Sequence, residues 1–117
     1  MYMPVSYEGP VEDYKKLLNG VQLWDVGVER QVQIKGPDAE ALSQFLTPRN
    51  IKKCSIGQAM YTPLVDFKGG LLNDPVMLKI DADCFWFSVS DGDLILWVQA
   101  IAAGYKFDVE IDEPDVS

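Results

Sequence analysis

Two strand-like runs on either side of a glycine turn constrain the fold of this chain more than any other feature. Residues Phe67–Gly70 supply the turn between Tyr61–Asp66 and the run that starts at Leu71, a pattern typical of a β-hairpin. Because side chains alternate faces along a strand, Asp74 is predicted to share a face with the aliphatic residues Leu72, Val76, Leu78 and Ile80. An unpaired carboxylate there costs roughly several kcal/mol. We therefore expect Asp74 to be a buried strand residue that faces a cavity and meets a partner or a ligand.

The remaining sequence predicts three helices and three further strands. Helices are predicted after Gly9-Pro10, after Gly36-Pro37-Asp38 and over Asp93–Ala103, and strands over Gln31–Lys35, Phe85–Val89 and Tyr105–Asp112, with a further short strand around Leu23–Val26. Leu17 and Leu18 are expected to face inward, and the apolar stripe of the last helix should pack on the sheet; that stripe is Leu94, Trp97, Val98 and Ile101. The order predicts a single α+β domain over residues 1–117, a largely antiparallel sheet with helices packed on it, of ferredoxin-like split βαβ character.

Charge and composition exclude several classes of function. The net charge is −8 and the ten basic residues are scattered, which argues against nucleic acid as a partner. There is no apolar run of about 18 residues that could span a membrane, and the start does not resemble a signal peptide, so a cytoplasmic location is expected. With no histidine in the chain, a Ser-His-Asp arrangement is impossible. The cysteines and carboxylates show no metal-type spacing, so no metal site is predicted.

Several short segments, taken in order, resemble one enzyme family. They are Trp24-Asp25-Val26, Ile34–Ala39, Leu46–Arg49, Tyr61–Asp66 and Gly69–Asp74. Together they resemble the glycine-cleavage T-proteins, which are tetrahydrofolate-dependent aminomethyltransferases. Asn73-Asp74-Pro75 is more similar to a branch of that family, the dimethylsulfoniopropionate demethylases. Gly27-Val28 stands where typical T-proteins have Ser-His, which weakens an aminomethyltransferase assignment.

The resemblance implies a role for particular side chains. Asp74 matches the essential aspartate near the N5/N10 edge of the folate and is the candidate catalytic residue. Tyr61, Val76 and Leu78 match folate-lining positions, and Ser88 or Ser90 matches a polar residue on the next strand. The implied cofactor is tetrahydrofolate, and the implied second ligand is a small-molecule methyl donor.

The resemblance also implies that this chain corresponds to the N-terminal portion of longer enzymes. A folate-binding T-protein N-terminal domain alone is expected to be inactive, and to pair with missing C-terminal domains or with a second copy as a homodimer. Methyl transfer from a sulfonium donor is the favoured function. The alternatives are a glycine-cleavage aminomethyltransferase and a non-catalytic folate-family module that needs a partner domain. A role in iron–sulfur assembly ranks last, since the cysteine motif of such relatives is absent.

Overall fold

A computed structural model describes residues 5–23, 29–89 and 92–115. In chain order it contains helix α1 (Pro10–Asn19), strand β1 (Arg30–Lys35), helix α2 (Ala39–Phe45), a 3-10 turn (Ile51–Lys53), strands β2 (Ala59–Tyr61), β3 (Leu64–Val65), β4 (Leu71–Asn73), β5 (Val76–Asp81) and β6 (Cys84–Val89), helix α3 (Leu94–Tyr105) and strand β7 (Glu110–Asp112). In the part of the chain that the structure describes, no helix has the length and apolar character needed to cross a membrane.

The strands form one large and one small antiparallel sheet. The large sheet has the order β2-β5-β6-β1-β7, and β3 pairs with β4 in the small one. The segment from β1 to β5 contains α2, and the segment from β6 to β7 contains α3. Without the edge strand β2, the order β7-β1-β6-β5 is that of a split βαβ unit. The predicted α+β class and antiparallel sheet are confirmed.

The predicted single hairpin is divided into four short strands. The run Tyr61–Asp66 is interrupted at Thr62-Pro63, so β2 joins β5 in the large sheet while β3 joins β4. The second run is interrupted in the same way at Asp74-Pro75. Proline has no N–H to donate to a strand ladder, so each proline ends the pairing of the strand before it. The turn itself is formed as predicted, with Asp66 accepting backbone N–H bonds from Lys68 and Gly70.

The core lies between one face of the large sheet and helices α2 and α3. Its buried sheet side chains are Val32, Ile34, Met77, Phe85, Phe87 and Val89. Helix α3 contributes three of its four predicted apolar residues fully, since Leu94, Val98 and Ile101 are buried. Trp97 is half-buried at the edge of this core. The prediction that the stripe of α3 packs on the sheet is confirmed, with Trp97 less enclosed than its neighbours.

The segment Gly36-Pro37-Asp38 joins the turn after β1 to the loop before β7. Gly36 has a φ of 135°, and a Cβ atom there would lie 2.9 Å from the carbonyl oxygen of Asp108. Asp38 Oδ2 accepts a hydrogen bond of 2.8 Å from the backbone N–H of Asp108. Only glycine combines that backbone conformation with so close an approach. The segment is therefore required by the fold and need not touch a ligand.

Three further predictions about elements need correction. The last helix was predicted over Asp93–Ala103, but α3 passes through Gly104 to Tyr105, and Lys106 closes it in the left-handed conformation with a φ of 61°. The predicted last strand is consequently reduced to Glu110–Asp112. Leu17 and Leu18 are exposed, so the prediction that they face inward is wrong. Most of the short strand predicted around Leu23–Val26 lies outside the described residues.

Candidate functional site

The candidate site lies on the open face, by which we mean the face of the large sheet opposite α2 and α3. The strand register places Tyr61, Val76, Ser88 and Gln31 in one row across β2, β5, β6 and β1. Tyr61 and Val76 are exposed, and Ser88 and Gln31 are half-buried. Three positions that the family resemblance implied, Tyr61, Val76 and Ser88, thus lie side by side.

Asp74 lies at the end of this row but not in the predicted setting. It is an exposed residue in the connection between β4 and β5, so the prediction of a buried strand position is wrong. The physical reason is Pro75, which follows Asp74 directly and has no N–H for a strand ladder. Strand β5 therefore begins only at Val76. Tyr61 Oη lies 3.5 Å from Asp74 Oδ2, at the long limit of a hydrogen bond. The structure therefore brings Asp74 next to Tyr61, with its carboxylate accessible from the open face.

A second row lies one step further along the strands. Leu78 stands between Ala59 and Trp86, and both Leu78 and Trp86 are half-buried. The Trp86 indole Nε1–H donates to Gln33 Oε1 at 2.8 Å. The amide of Gln33 donates in turn to Asp112 Oδ1 at 2.9 Å. This network fixes the indole, so Leu78 and Trp86 form a rigid apolar surface beside the first row.

Ser88 forms hydrogen bonds with Glu29 and Gln31, two residues that the sequence analysis did not predict as part of the site. Its hydroxyl donates to Glu29 Oε2 at 2.9 Å and accepts from Gln31 Nε2 at 3.0 Å. An ionised carboxylate only accepts, so the single hydroxyl proton points to Glu29. Gln31 Oε1 is buried and has no hydrogen-bond partner within the described ranges. The alternation of Gln31 and Gln33 with apolar residues indicated a half-exposed strand, but it did not indicate the hydrogen bonds of Ser88 with Glu29 and Gln31. Ser90, the other serine that the resemblance offered, lies outside the described residues.

Charge on the open face is mainly negative. Asp74 and Glu29 border the first row, and Asp112 borders the second. Burial raises the pKa of the Cys84 thiol; Lys35 opposes this, and Asp83, Asp81 and Asp112 raise it further. Within the described ranges, no group of three His, Cys, Asp or Glu side chains is placed to hold a metal ion.

Two concavities lie away from the open face. One of about 530 Å³ runs between α3 and the residues before β7, with Gln99, Lys106 and Asp108 among its lining side chains. The other, of about 90 Å³, lies between Phe67 and Trp97. Neither includes a residue of the two rows. The rows are therefore suited to cover one side of a ligand, and not to enclose it.

Comparison with known proteins agrees with this architecture. The GCVT N-terminal domain matches residues 1–116. The dimethylsulfoniopropionate demethylase DmdA of Ruegeria pomeroyi is 46% identical over 117 residues, covering 100% of this chain and 32% of that protein. An aminomethyltransferase of Chlorobium luteolum is 31% identical over 106 residues, covering 88% of this chain and 29% of that protein. The crystal structure of the glycine cleavage system aminomethyltransferase T of Bartonella henselae superposes with a TM-score of 0.68 at 18% identity, covering 78% of this chain and 26% of that one.

The α+β fold and the matched domain define this protein as an N-terminal T-protein-type domain. The chain belongs to the glycine-cleavage T-protein family, and the relatives that resemble it include both demethylases and aminomethyltransferases. It spans about a third of the length of these curated relatives.

Proposed function

We propose that this chain forms one side of a tetrahydrofolate site in a methyltransferase that resembles the dimethylsulfoniopropionate demethylases. The observation that carries the proposal is the row formed by Tyr61, Val76 and Ser88 with Asp74 at its end. The 46% identity with DmdA over the whole chain supports the demethylase type. A site shared with further domains fits the exposure of Tyr61 and Val76 on the open face.

The residues present suit a flat ring system with an N–H-rich edge. Val76 and Leu78, with Tyr61 and Trp86 beside them, offer apolar and aromatic surface for ring faces, as small-molecule sites usually do. Oxygen acceptors lie at both ends of the row, with Asp74 beside Tyr61 at one end and Glu29 beside Ser88 toward the other. A pterin has amino and ring N–H donors and fits this acceptor set.

Asp74 is the candidate catalytic residue of this site. When bound, tetrahydrofolate supplies the nitrogen nucleophile that takes the one-carbon group. The Asp74 carboxylate would hold the nitrogen-bearing edge by a charged hydrogen bond, and Tyr61 would in turn position that carboxylate. Alignment of a nucleophile with a methyl group supplies a large part of the rate in such transfers. The chain alone is expected to be inactive, because the methyl donor and the far side of the folate would need other domains.

Ligand-observed NMR titration with tetrahydrofolate tests this proposal. We expect weak binding by the wild type, since sites normally bury about 70–90% of a ligand and the open face covers one side. Asp74→Ala removes a charged acceptor worth about 1.5–3 kcal/mol, so affinity should fall about tenfold to a hundredfold. Asp83→Ala is the matched control, an exposed aspartate in the β5–β6 turn, and should bind like the wild type. Tight wild-type binding would contradict a shared site, and equal binding by Asp74→Ala would remove Asp74 from it.

Aminomethyl transfer in a glycine cleavage system is the second candidate. The 31% identity with the Chlorobium luteolum aminomethyltransferase supports it. The same open face would serve both reactions, because both use the same cofactor. A chimera in which this chain replaces the matched third of DmdA discriminates between them. Demethylation of dimethylsulfoniopropionate by the chimera supports the first candidate, and a folded chimera without that activity favours the second.

A further inference from the structure

The second row crosses the whole open face, with Trp86 at its centre. The strand register gives it one residue from each strand of the large sheet, namely Ala59, Leu78, Trp86, Gln33 and Asp112. Trp86 is half-buried, so part of its ring remains accessible. The aromatic ring contacts of the described structure lie elsewhere, around Phe45, Phe67 and Tyr105. The accessible part of the indole is therefore not used to pack against another ring of this domain.

The polar atom of Trp86 is already satisfied within the domain. An indole has one donor and no acceptor, and its Nε1–H donates to Gln33 Oε1 at 2.8 Å. A ligand on the open face therefore gains no hydrogen bond from Trp86. The side chain offers instead the apolar surface of its ring, next to Leu78 on the neighbouring strand. Such a surface recognises a flat ring by stacking.

Asp112 fixes the direction of the Gln33 amide. An amide group has an acceptor at one end and donors at the other, whereas an ionised carboxylate only accepts. Gln33 Nε2 donates to Asp112 Oδ1 at 2.9 Å, so Gln33 Oε1 has to face Trp86. Cys84 Sγ lies 3.6 Å from the same oxygen; burial raises the pKa of this thiol, so it stays protonated and donates. The edge strand β7 thus controls, through Gln33, the orientation of a ring at the centre of the sheet.

We propose that Trp86 and Leu78 form a stacking subsite for a flat ring of the bound cofactor, and that Gln33 is a positioning residue that holds the indole in place. The inference rests on the proposed folate site, which it extends from the first row to the second. Val76 and Leu78 are successive residues on this face of β5, about 6.6 Å apart. A ligand that contacts Val76 therefore reaches the second row with its next ring. Tetrahydrofolate has two such rings, the pterin and the aminobenzoyl ring.

The exchange rate of the Trp86 indole proton tests the positioning role without ligand. Its resonance is identified by its loss in Trp86→Phe. Gln33→Met keeps the length of the side chain but removes the amide, so exchange should become about threefold to tenfold faster. The double variant Gln33→Glu with Asp112→Asn restores both hydrogen bonds with donor and acceptor exchanged. It should return the rate to that of the wild type, and an unchanged rate in Gln33→Met would overturn the positioning role.

The affinity for tetrahydrofolate, measured by NMR titration, tests the stacking subsite. Trp86→Leu keeps an apolar side chain but removes the ring, so affinity should fall about tenfold. Gln33→Met keeps the ring but leaves it to be ordered on binding, which should cost about threefold. In a Trp86→Phe background, Gln33→Met should have no further effect, because phenylalanine has no N–H for Gln33 to hold. Gln99→Met changes an exposed glutamine of α3 and is the matched control, which should bind like the wild type.

The outcomes separate this inference from the proposed function. Binding that is weakened by Asp74→Ala but unchanged in Trp86→Leu would leave the folate site in place and overturn the stacking subsite. A threefold loss from Gln33→Met in the Trp86→Phe background would overturn the action of Gln33 through the indole. Absence of any tetrahydrofolate binding by the wild type would overturn the proposed function and this inference with it. Nuclear Overhauser effects between the indole and the benzoyl or pterin protons of the ligand support the subsite and show which ring stacks.

Discussion

The two faces of the large sheet differ in the burial and the polarity of their side chains. The covered face presents Val32, Ile34, Met77, Phe85 and Phe87, all fully buried under helices α2 and α3. The open face presents an exposed Val76 and half-buried Leu78 and Trp86, mixed with glutamines, Ser88 and carboxylates. Packing alone accounts for the first set. Apolar residues on the second face are not buried by this domain, and the folate site proposed above would account for them.

The largest expected effect belongs to the covered face. Phe87→Ala should lower the free energy of unfolding by about 3–5 kcal/mol, because it leaves a cavity beneath the helices. Val76→Ala, a change on the open face, should cost less than about 0.5 kcal/mol, as surface substitutions usually do. Urea denaturation measures both. Similar costs for the two variants would remove the distinction between the faces.

A smaller effect is expected at the border of the core. Trp97 is half-buried and its ring centroid lies 5.8 Å from that of Phe67. Trp97→Ala should cost about 2–3 kcal/mol, less than a fully enclosed aromatic. Trp97→Phe should cost less than about 1 kcal/mol, since Trp97 Nε1 is a buried donor without a hydrogen-bond partner in the described structure and its loss is not a penalty. A Trp97→Phe cost as large as that of Trp97→Ala would contradict the absence of a hydrogen bond at the indole N–H.

The smallest effect concerns Cys84, whose neighbours in the register place it on the open face. Desolvation by burial raises the pKa of its thiol above the ordinary range of a cysteine, so little thiolate exists at neutral pH. Alkylation should be slow at pH 7 and should rise about tenfold per pH unit, continuing beyond the pH at which an ordinary cysteine is fully ionised. The raised pKa also means that folding is favoured below the pKa of the unfolded thiol and loses that contribution as the pH rises through the folded value. Rapid alkylation at pH 7 would contradict the burial of this thiol.

The sequence predicted the covered face well, since its signals are local. The alternation of Val32 and Ile34 and the stripe of α3 identified the core, and Gly36-Pro37-Asp38 marked the start of α2. The division of the hairpin was missed because the strand pattern was followed across Pro63 and Pro75. Each of these prolines ends a ladder, and that reading would have given the four short strands.

The open face could not be predicted in the same way. The alternation of Val76, Leu78 and Ile80 is indistinguishable from that of a core strand, yet Met77 is the buried residue of β5. Apolar alternation along a strand does not distinguish a face that the domain covers from a face that it leaves open. The same confusion placed Asp74 in the interior and Leu17 and Leu18 against the core. The partners of Ser88 depend on register across strands distant in sequence, which no local pattern reports.

Mapping of amide chemical shifts during addition of tetrahydrofolate tests the functional difference between the two faces most directly. The account predicts that shifts concentrate on the open face, at Tyr61, Val76 and Ser88 and at Asp74 beside them, while the amides of α2 and α3 stay unchanged. The pattern should be lost in Asp74→Ala and kept in Asp83→Ala. Shifts confined to the groove between α3 and β7, or no shifts at millimolar ligand, would contradict the assignment of the open face as the folate-binding side.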